Sequence, residues 1–147
     1  MIFNDPKILP ISINTDQPIS VVELKGTLYL FYRGTGPDTQ VYYVSNANGS
    51  WSDRPTPISN LKTRLGVSAV VYNNPDNPTA HIFVVEDGSA YIEYVTFDGN
   101  NFSSVQQMPE TINASRTPCA VAGTTGITVF YNGINTTNLF ESVGSSD

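Results

Sequence analysis

The chain has 147 residues and a formal net charge of −6, with 39% hydrophobic and 14% charged residues. This length and apolar fraction suit a single domain, residues 1–147, with a buried core. Seven basic residues without a basic cluster argue against nucleic-acid binding, and no stretch has the pattern of a long amphipathic helix.

The chain has one cysteine, Cys119, and one histidine, His81. These counts exclude an intrachain disulfide and a cysteine or two-histidine metal site, so we expect neither a metal nor a cofactor. No apolar run approaches the ~20 residues of a membrane-spanning helix, so we expect no membrane insertion. The first residues lack a signal-peptide pattern, which predicts a protein that is cytoplasmic or released without a signal peptide.

Three segments align around an aromatic column at Phe3, Trp51 and Phe102, spaced 48 and 51 residues apart. A proline column (Pro10, Pro57, Pro109) and an asparagine column (Asn14, Asn60, Asn113) follow at matching positions. Matched columns at a near-constant spacing indicate an internal repeat.

Each repeat predicts four antiparallel strands separated by Gly, Asn or Asp turns, among them Lys25-Gly26 and NANG in the first repeat. In chain order the β-prone runs are PISVVEL, LYLFYRG and QVYYVS; then GVSAVVY, HIFVVEDG and AYIEYVT; then PCAVAG, ITVFYNG and NLFESV. An aromatic strand at the column residue completes each of the first two repeats. The third repeat stops before its aromatic strand, whereas the chain begins with an isolated one at Phe3.

The fold class that follows is all-β, with three four-stranded sheets per chain. We predict blade 1 at residues 15–62, blade 2 at 63–114, an incomplete blade 3 at 115–147, and residues 1–14 as the outer strand that completes the last blade. Propellers have about 4–8 blades, so three blades per chain predict a six-bladed homodimer. A β-trefoil or β-prism, in which three repeats close as a monomer, is the alternative.

The stretch LYLFYRGTGPDTQVYYVSNANGSWSD, from Leu28 to Asp53, resembles a blade of bacterial propeller lectins. The stretch IFVVEDGSAYIEYVTFDGNNFS, from Ile82 to Ser103, is similar to blades of the fungal and bacterial fucose-binding propeller lectins. Some of those lectins are short chains that assemble into six-bladed rings. The resemblance implies a sugar-binding propeller.

Sugar sites combine flat aromatic faces with a few fixed polar groups. Aromatic residues at repeat-equivalent places are candidates to contact sugar, and packing between blades is the alternative for each: Tyr32, Tyr43, Trp51, Phe102 and Tyr131. Phe31, Phe83 and Phe130 are expected in the core, and His81 is expected to be a structural residue.

Two polar columns supply candidate hydroxyl-binding groups. The first precedes each blade, at Asp16, Arg64 and Arg116, and the second closes the second strand, at Arg33, Glu86 and Asn132. Arginine offers a rigid fork of donors to sugar hydroxyls or to a carboxylate. The alternative for these arginines is an inter-blade ion pair with Glu86, Asp87 or Glu141, and Glu141 is itself a candidate site residue.

The function predicted from these patterns is a multivalent carbohydrate-binding lectin without catalytic activity, whose partners are glycan ends on cell surfaces. A protein-interaction scaffold is the competing class, since fold alone does not fix function. A glycosidase is a minor alternative, because its two flanking carboxylates are not recognisable in the sequence.

Overall fold

A computed structural model describes residues 8–74 and 77–145 of the chain. In these residues the regular secondary structure is twelve β-strands, and every pairing between neighbouring strands is antiparallel. The described part of the chain has no helix that is long and apolar enough to span a bilayer. The all-β class predicted from the sequence is confirmed.

The first sheet has an outer strand that is split in two. Its strands are β1 (Ser20–Leu24), β2 (Thr27–Arg33), β3 (Gln40–Ala47), β4 (Ser50–Trp51) and β5 (Thr56–Lys62). The order is β1-β2-β3-β4, and β5 also pairs with β3. Pro55 and Pro57 lie where the outer strand breaks and resumes; proline has no N–H for a ladder, which explains the split.

The second sheet has four strands: β6 (Ser68–Tyr72), β7 (Thr79–Val85), β8 (Ile92–Phe97) and β9 (Gln106–Gln107). An isolated bridge joins Phe97 to Phe102 before β9 begins. The third sheet has three strands among the described residues: β10 (Cys119–Ala122), β11 (Gly126–Asn132) and β12 (Leu139–Ser145). We call the three sheets blades 1, 2 and 3.

Short turns set the hairpins in register. Lys25 and Gly26 join β1 to β2 with φ values of 52° and 80°, and Asn48 and Gly49 join β3 to β4 with φ values of 53° and 84°. Two successive left-handed residues give the primed turn that matches the twist of antiparallel strands. The turns that the sequence analysis placed at Lys25-Gly26 and in NANG are confirmed.

The second strands of the three blades align residue by residue through their pairings. Leu30, Ile82 and Val129 occupy equivalent positions, as do Phe31, Phe83 and Phe130. Neighbouring residues of a strand point to opposite faces. We call the face with Leu30, Ile82 or Val129 the rear face, and the face with Phe31, Phe83 or Phe130 the forward face.

The blades stack forward face to rear face. Phe31 of blade 1 packs with Ile82 and Val84 of blade 2, and Ile58 and Leu61 of β5 join the same core. Phe83 of blade 2 packs in the same way with Val129 and Tyr131 of blade 3. Burial of these apolar surfaces is the main favourable term in the stack. Face-to-face sheets repeated along one direction are the arrangement of β-propeller blades.

Two faces at the ends of the stack carry no further blade. The rear face of blade 1 is partly covered by Ile11 and Ile13, which pack against Leu30, Tyr32 and Val44. On the forward face of blade 3, Leu139 and Val143 are 66% and 68% exposed. The chain therefore forms an arc of three blades with apolar ends.

The structure bears on two of the sequence-based predictions, the outer strand at the start of the chain and the second polar column. The outer strand predicted at residues 1–14 lies in part outside the described residues, and residues 8–14 form no strand. The column that grouped Glu86 with Arg33 and Asn132 was wrong by one position: Arg33 pairs with Val41, and its counterparts in register are Val85, which pairs with Ile92, and Asn132. The sequence permits this error of one residue because, in either alignment, the apolar residues of one second strand lie opposite apolar residues of the others.

Candidate functional site

A pocket of about 420 Å³ lies between the forward face of blade 2 and the rear face of blade 3. It lies towards the edge of the sheets at which β6 ends with Tyr72 and at which β7 and β11 begin, the latter with Gly126. Its volume falls in the range of small-molecule sites.

Blade 2 supplies an aromatic wall. Tyr72, His81, Phe83 and Tyr94 line the pocket, because the strand pairings put all four on the forward face. The Phe83 and Tyr94 rings lie 5.5 Å apart between centroids, and the His81 ring stacks at 6.5 Å from each of them. The hydroxyl of Tyr94 donates a 2.7 Å hydrogen bond to Oε1 of Gln106, which fixes the ring.

Blade 3 supplies the opposite wall, which is largely aliphatic. Ile127 and Val129 form its floor, and Ser142 and Gly144 of β12 form its rim. Gln107 and Met108 close the pocket on the outer side. The pocket therefore offers aromatic surface on one wall, aliphatic side chains on the other and polar groups beside them.

The pocket is open because one residue of blade 3 is a glycine. Gly144 pairs with Ile127 at the position where Phe97 pairs with Ala80 in blade 2. Between blades 1 and 2 the Phe97 ring fills this place, at 5.0 Å from Tyr29 and stacked 4.2 Å from Phe102. The same inter-blade position is thus filled at one junction and hollow at the next.

The surroundings of His81 favour its neutral form. Burial lowers the pKa of His81 below its ordinary value of 6.5, because the charged imidazolium loses hydration. Its Nε2 atom lies 3.1 Å from the hydroxyl oxygen of Thr79. His81 thus lines the pocket with an imidazole whose neutral form is favoured by burial.

A second, shallower cleft lies at the opposite edge of the same junction. Arg64, Glu86 and Ser115 are among its lining residues. Nε of Arg64 pairs with Oδ1 of Asp87 at 2.5 Å, and Glu86 accepts a hydrogen bond from the hydroxyl of Ser89. Arg64 and Glu86, the two charged residues that line this cleft, therefore each have a partner within the chain. Arg64 pairs with Asp87, one of the partners that the sequence analysis left open, but both residues belong to blade 2, so the ion pair lies within one blade and not between two blades.

The aromatic candidates lie in three different places. Tyr43 and Phe102 are in contact at 5.3 Å within the core between blades 1 and 2. Tyr131 is buried between blades 2 and 3 and stacks on Phe140. Tyr32 and Trp51 share the rear face of blade 1, where Tyr32 is buried and Trp51 is half-buried.

The charged candidates are also dispersed. Arg33 is 4% exposed; its Nη2 atom pairs with Oδ1 of Asp16 at 2.5 Å, and its Nη1 atom donates to the carbonyl of Gly36 at 2.9 Å. The amide of Gly36 and the Arg33 guanidinium hold the pKa of Asp16 below its usual value. Arg33 therefore stabilises the turn between β2 and β3 through these bonds. Arg116 and Glu141 are exposed, and Glu141 lies on the forward face of blade 3.

The lining of the open pocket was not among the candidates from the sequence. Tyr72, His81 and Tyr94 lie on three strands, and they share a wall because Tyr72 pairs with Thr79 and Tyr94 pairs with Phe83. Period-2 alternation along each strand could have placed them on one face. The sequence alone does not show that Gly144 takes the place of an aromatic ring, because this comparison needs the pairing register of β11 with β12 and of β7 with β8. Among the described residues no group of three or more His, Cys, Asp or Glu side chains is positioned to hold a metal ion.

Two solved structures have a similar fold. A fucose lectin from Kordia zhangzhouensis in complex with methyl-fucoside superposes with a TM-score of 0.65 at 11% identity, over 88% of this chain and 94% of that chain. A mutant of Aleuria aurantia lectin in complex with α-methyl-L-fucoside superposes with a TM-score of 0.63 at 15% identity, over 91% of this chain and 45% of that chain. No family model and no curated protein matches the sequence. The chain therefore has the all-β propeller fold seen in these lectins.

Proposed function

We propose that the protein is a carbohydrate-binding lectin and that the open pocket between blades 2 and 3 binds a sugar ring. The observation that carries this proposal is the aromatic wall of Tyr72, His81, Phe83 and Tyr94 facing a hollow that Gly144 leaves unfilled. Aromatic faces bind the C–H surface of a sugar, and polar groups at the rim bind its hydroxyls. Multivalency, through two copies in a six-bladed ring, would convert weak single sites into strong surface binding.

The pocket favours a sugar with an apolar substituent. Ile127, Val129 and Met108 would contact a methyl group, whereas a hydroxyl there would lose its hydrogen bonds to water. A 6-deoxy sugar presents such a methyl group. The two lectins of similar fold were solved with methyl fucosides, which supports the same choice of ligand class.

The proposed binding is without catalysis. Glycosidases place two carboxylates on either side of the scissile bond. The described lining of the pocket includes no carboxylate.

The proposed sugar site is tested by comparing two ligands and by changing residues that line the pocket. Isothermal titration with methyl α-L-fucoside should show binding to the wild type, and the 6-hydroxy analogue methyl α-L-galactoside should bind more weakly. Gly144→Phe should abolish this binding because its ring reproduces the filled junction of Phe97. Tyr94→Ala should weaken binding about tenfold, the equivalent of ~1.4 kcal/mol of lost contact.

Gly144→Ala is the matched control. A Cβ at Gly144 would meet the carbonyl oxygen of Ile127 at 3.7 Å, an ordinary contact, so this variant should fold and bind like the wild type. Equal binding by Gly144→Phe and Gly144→Ala would refute the pocket as the sugar site. Absence of binding to every glycan on an array would refute the lectin proposal itself.

A protein-interaction scaffold remains the second candidate, and the apolar ends of the arc are the observation that favours it. Val121 of blade 3 is 51% exposed and Val21 of blade 1 is 48% exposed. A scaffold would capture one defined protein partner, and an excess of free sugar would not compete for that binding.

A further inference from the structure

The chain contains two Asn-Gly dipeptides, and the structure places them in different surroundings. Asn48-Gly49 forms the turn between β3 and β4, whereas Asn132-Gly133 lies at the end of β11. Glycine has no Cβ, so its backbone nitrogen can approach a neighbouring group more closely than that of any other residue. The two dipeptides are alike in this respect, and their surroundings in the fold distinguish them.

An Asn-Gly dipeptide can react with itself, and asparagine is one of the thermolabile residues of proteins. The glycine nitrogen attacks Cγ of the asparagine, an N–Cγ bond forms, and the side-chain nitrogen leaves as ammonia with the proton of the glycine amide. Water then cleaves one of the two C–N bonds of the resulting cyclic imide. Cleavage at Cγ gives aspartate, and cleavage at the backbone carbonyl carbon gives isoaspartate, whose main chain runs through the former side-chain methylene.

Nothing around the turn at Asn48 opposes this attack. Asn48 and Gly49 are both exposed. Within the described part of the chain, neither the side-chain amide of Asn48 nor the backbone amide of Gly49 has a hydrogen-bond partner. A Cβ at Gly49 would meet no atom within 4 Å. No contact therefore has to be broken for the nitrogen of Gly49 to reach Cγ of Asn48.

The strand beyond this turn is short. β4 has two residues, and its pairing with β3 consists of Ala47 with Ser50 and of Asn46 with Trp51. Local opening costs least where a segment has few buried contacts and exposed backbone hydrogen bonds. The backbone rotation that brings the glycine nitrogen to the asparagine side chain is therefore easy at this turn.

The second dipeptide is held in place by pairing and packing. Asn132 pairs with Leu139, and the amide of Gly133 donates a hydrogen bond to the carbonyl of Asn138 at 3.4 Å. Gly133 is buried, and a Cβ there would approach a carbon of the Phe140 ring to 2.6 Å. Cyclisation would break this pairing and packing, so the fold protects Asn132 from the reaction.

We propose that Asn48 is a deamidation site and that its conversion to isoaspartate releases β4, with Trp51, from blade 1. The nucleophile is part of the chain and the co-reactant is water, so the reaction needs no partner enzyme. The site goes beyond the proposed function, because the pocket between blades 2 and 3 includes no residue of this turn.

The two products differ in their effect on the hairpin. Aspartate keeps the normal main chain, and Asp-Gly is favoured in the same primed two-residue turn as Asn-Gly. Isoaspartate adds a methylene to the main chain before Gly49, so the turn no longer holds Ala47 opposite Ser50. With two residues, β4 has little pairing to resist this change.

Trp51 is a natural reporter of β4, because the chain has one tryptophan. It is half-buried and packs against the cluster of Leu30, Tyr32 and Val44 on the rear face of blade 1. Release of β4 would expose the indole ring to water and shift its fluorescence emission to longer wavelength.

The reaction is tested by peptide mapping with mass spectrometry while the native protein is incubated at mildly alkaline pH. Asn48 should exchange its side-chain NH2 for OH at least about tenfold faster than Asn132, because opening costs little at the first site and much at the second. In urea the two dipeptides should react at similar rates, since the fold no longer protects Asn132.

Equal rates in the native protein, or a faster reaction at Asn132, would overturn the deamidation site. The same tenfold difference in urea would overturn it too, because the difference would then not depend on the fold.

Two variants test the release of β4. Asn48→Gly should stop the reaction and keep the turn, because glycine accepts the φ of 53° and Gly-Gly is favoured in this turn type. Its Trp51 emission should stay constant during incubation, whereas the wild-type emission should shift as isoaspartate accumulates. Asn48→Asp should start with the wild-type emission, because its main chain is normal.

A constant wild-type emission while isoaspartate accumulates would overturn the release of β4. An equal shift in Asn48→Gly would overturn it as well, because the cause would then lie outside residue 48.

Discussion

At the scale of single residues, one register position decides whether a junction between blades is closed or open. Phe97 fills the junction of blades 1 and 2, whereas Gly144 leaves the junction of blades 2 and 3 hollow. The backbone at Gly144 is not in the left-handed region, and a Cβ there would make only an ordinary 3.7 Å contact, so the effect of the glycine is to leave space and not to allow a special conformation. The aromatic wall opposite Gly144, including His81, is therefore available to a ligand.

His81 should make stability depend on pH near neutrality. Burial lowers the pKa of His81 in the folded chain below its ordinary 6.5, so the unfolded chain binds the proton first as the pH falls. The free energy of unfolding should be at its full value above pH 6.5 and decline from there to the folded-state pKa. Urea titrations at a series of pH values would measure this decline.

His81→Gln should remove that part of the pH dependence, because glutamine does not titrate. The carboxylates whose pKa values are lowered, among them Asp16 and Asp98, act in a different window: they stabilise the fold above their ordinary value of 3.8 and lose this effect in stronger acid. A decline near pH 6 that persists in His81→Gln would contradict the assignment.

At the scale of elements, packing between blades stabilises the fold more than the outer strands do. β4 and β9 have two residues each, and prolines interrupt the outer strand of blade 1. The second strand of each blade, in contrast, has seven residues and contributes to the core of a junction, and β7 contributes to both junctions. The forward-to-rear contact of sheets is therefore the structural unit that repeats.

Phe97→Ala should be among the most destabilising substitutions in the chain. The Phe97 side chain is 2% exposed and contacts Tyr29, Tyr43 and Phe102. Removal of a buried phenylalanine ring costs about 3–5 kcal/mol of unfolding free energy. Chemical denaturation would measure the loss, with Phe140→Ala as control: Phe140 is 41% exposed and should cost much less. Equal losses for the two variants would show that the junction of blades 1 and 2 is not the tight core described above.

At the scale of the whole molecule, the chain is an arc with apolar side chains exposed at both ends. The apolar side chains that remain exposed lie mostly on the first and last blades, and the inner blade has none among the described residues. Association of the ends would bury this surface and would present several sugar sites on one face of a ring.

Association through these ends predicts that thermal stability depends on protein concentration. The melting temperature should rise as the concentration is increased from about 1 to about 100 μM, because a dimer is favoured by mass action. Leu139→Glu should abolish this rise, since it puts a charge on the forward face of blade 3. Calorimetry at several concentrations provides the measurement, and a wild-type melting temperature independent of concentration would contradict the dimer.

The sequence was sufficient for the elements and their repeat. Alternating β-prone runs and turn residues such as Lys25-Gly26 predicted the strands, because backbone preference and the alternation of buried and exposed side chains depend on residues that are close in sequence. It also predicted burial of Phe31 and Phe83 correctly, whereas Phe130, expected in the core as well, is only half-buried on the open forward face of blade 3. The same local signals could not separate Glu86 from Val85 as the counterpart of Arg33, since a shift by one residue leaves the run equally β-prone.

The sequence by itself determined an all-β chain of repeated hairpins, because turn chemistry and side-chain alternation act over a few residues. Only the tertiary structure decided which repeat-equivalent residues face a pocket and which are buried. Tyr43 is enclosed by Phe97 and Phe102, whereas its counterpart Tyr94 faces the space above Gly144. That difference arises between two sheets, from residues about 50 positions apart in the chain, and no local pattern in either sheet contains it.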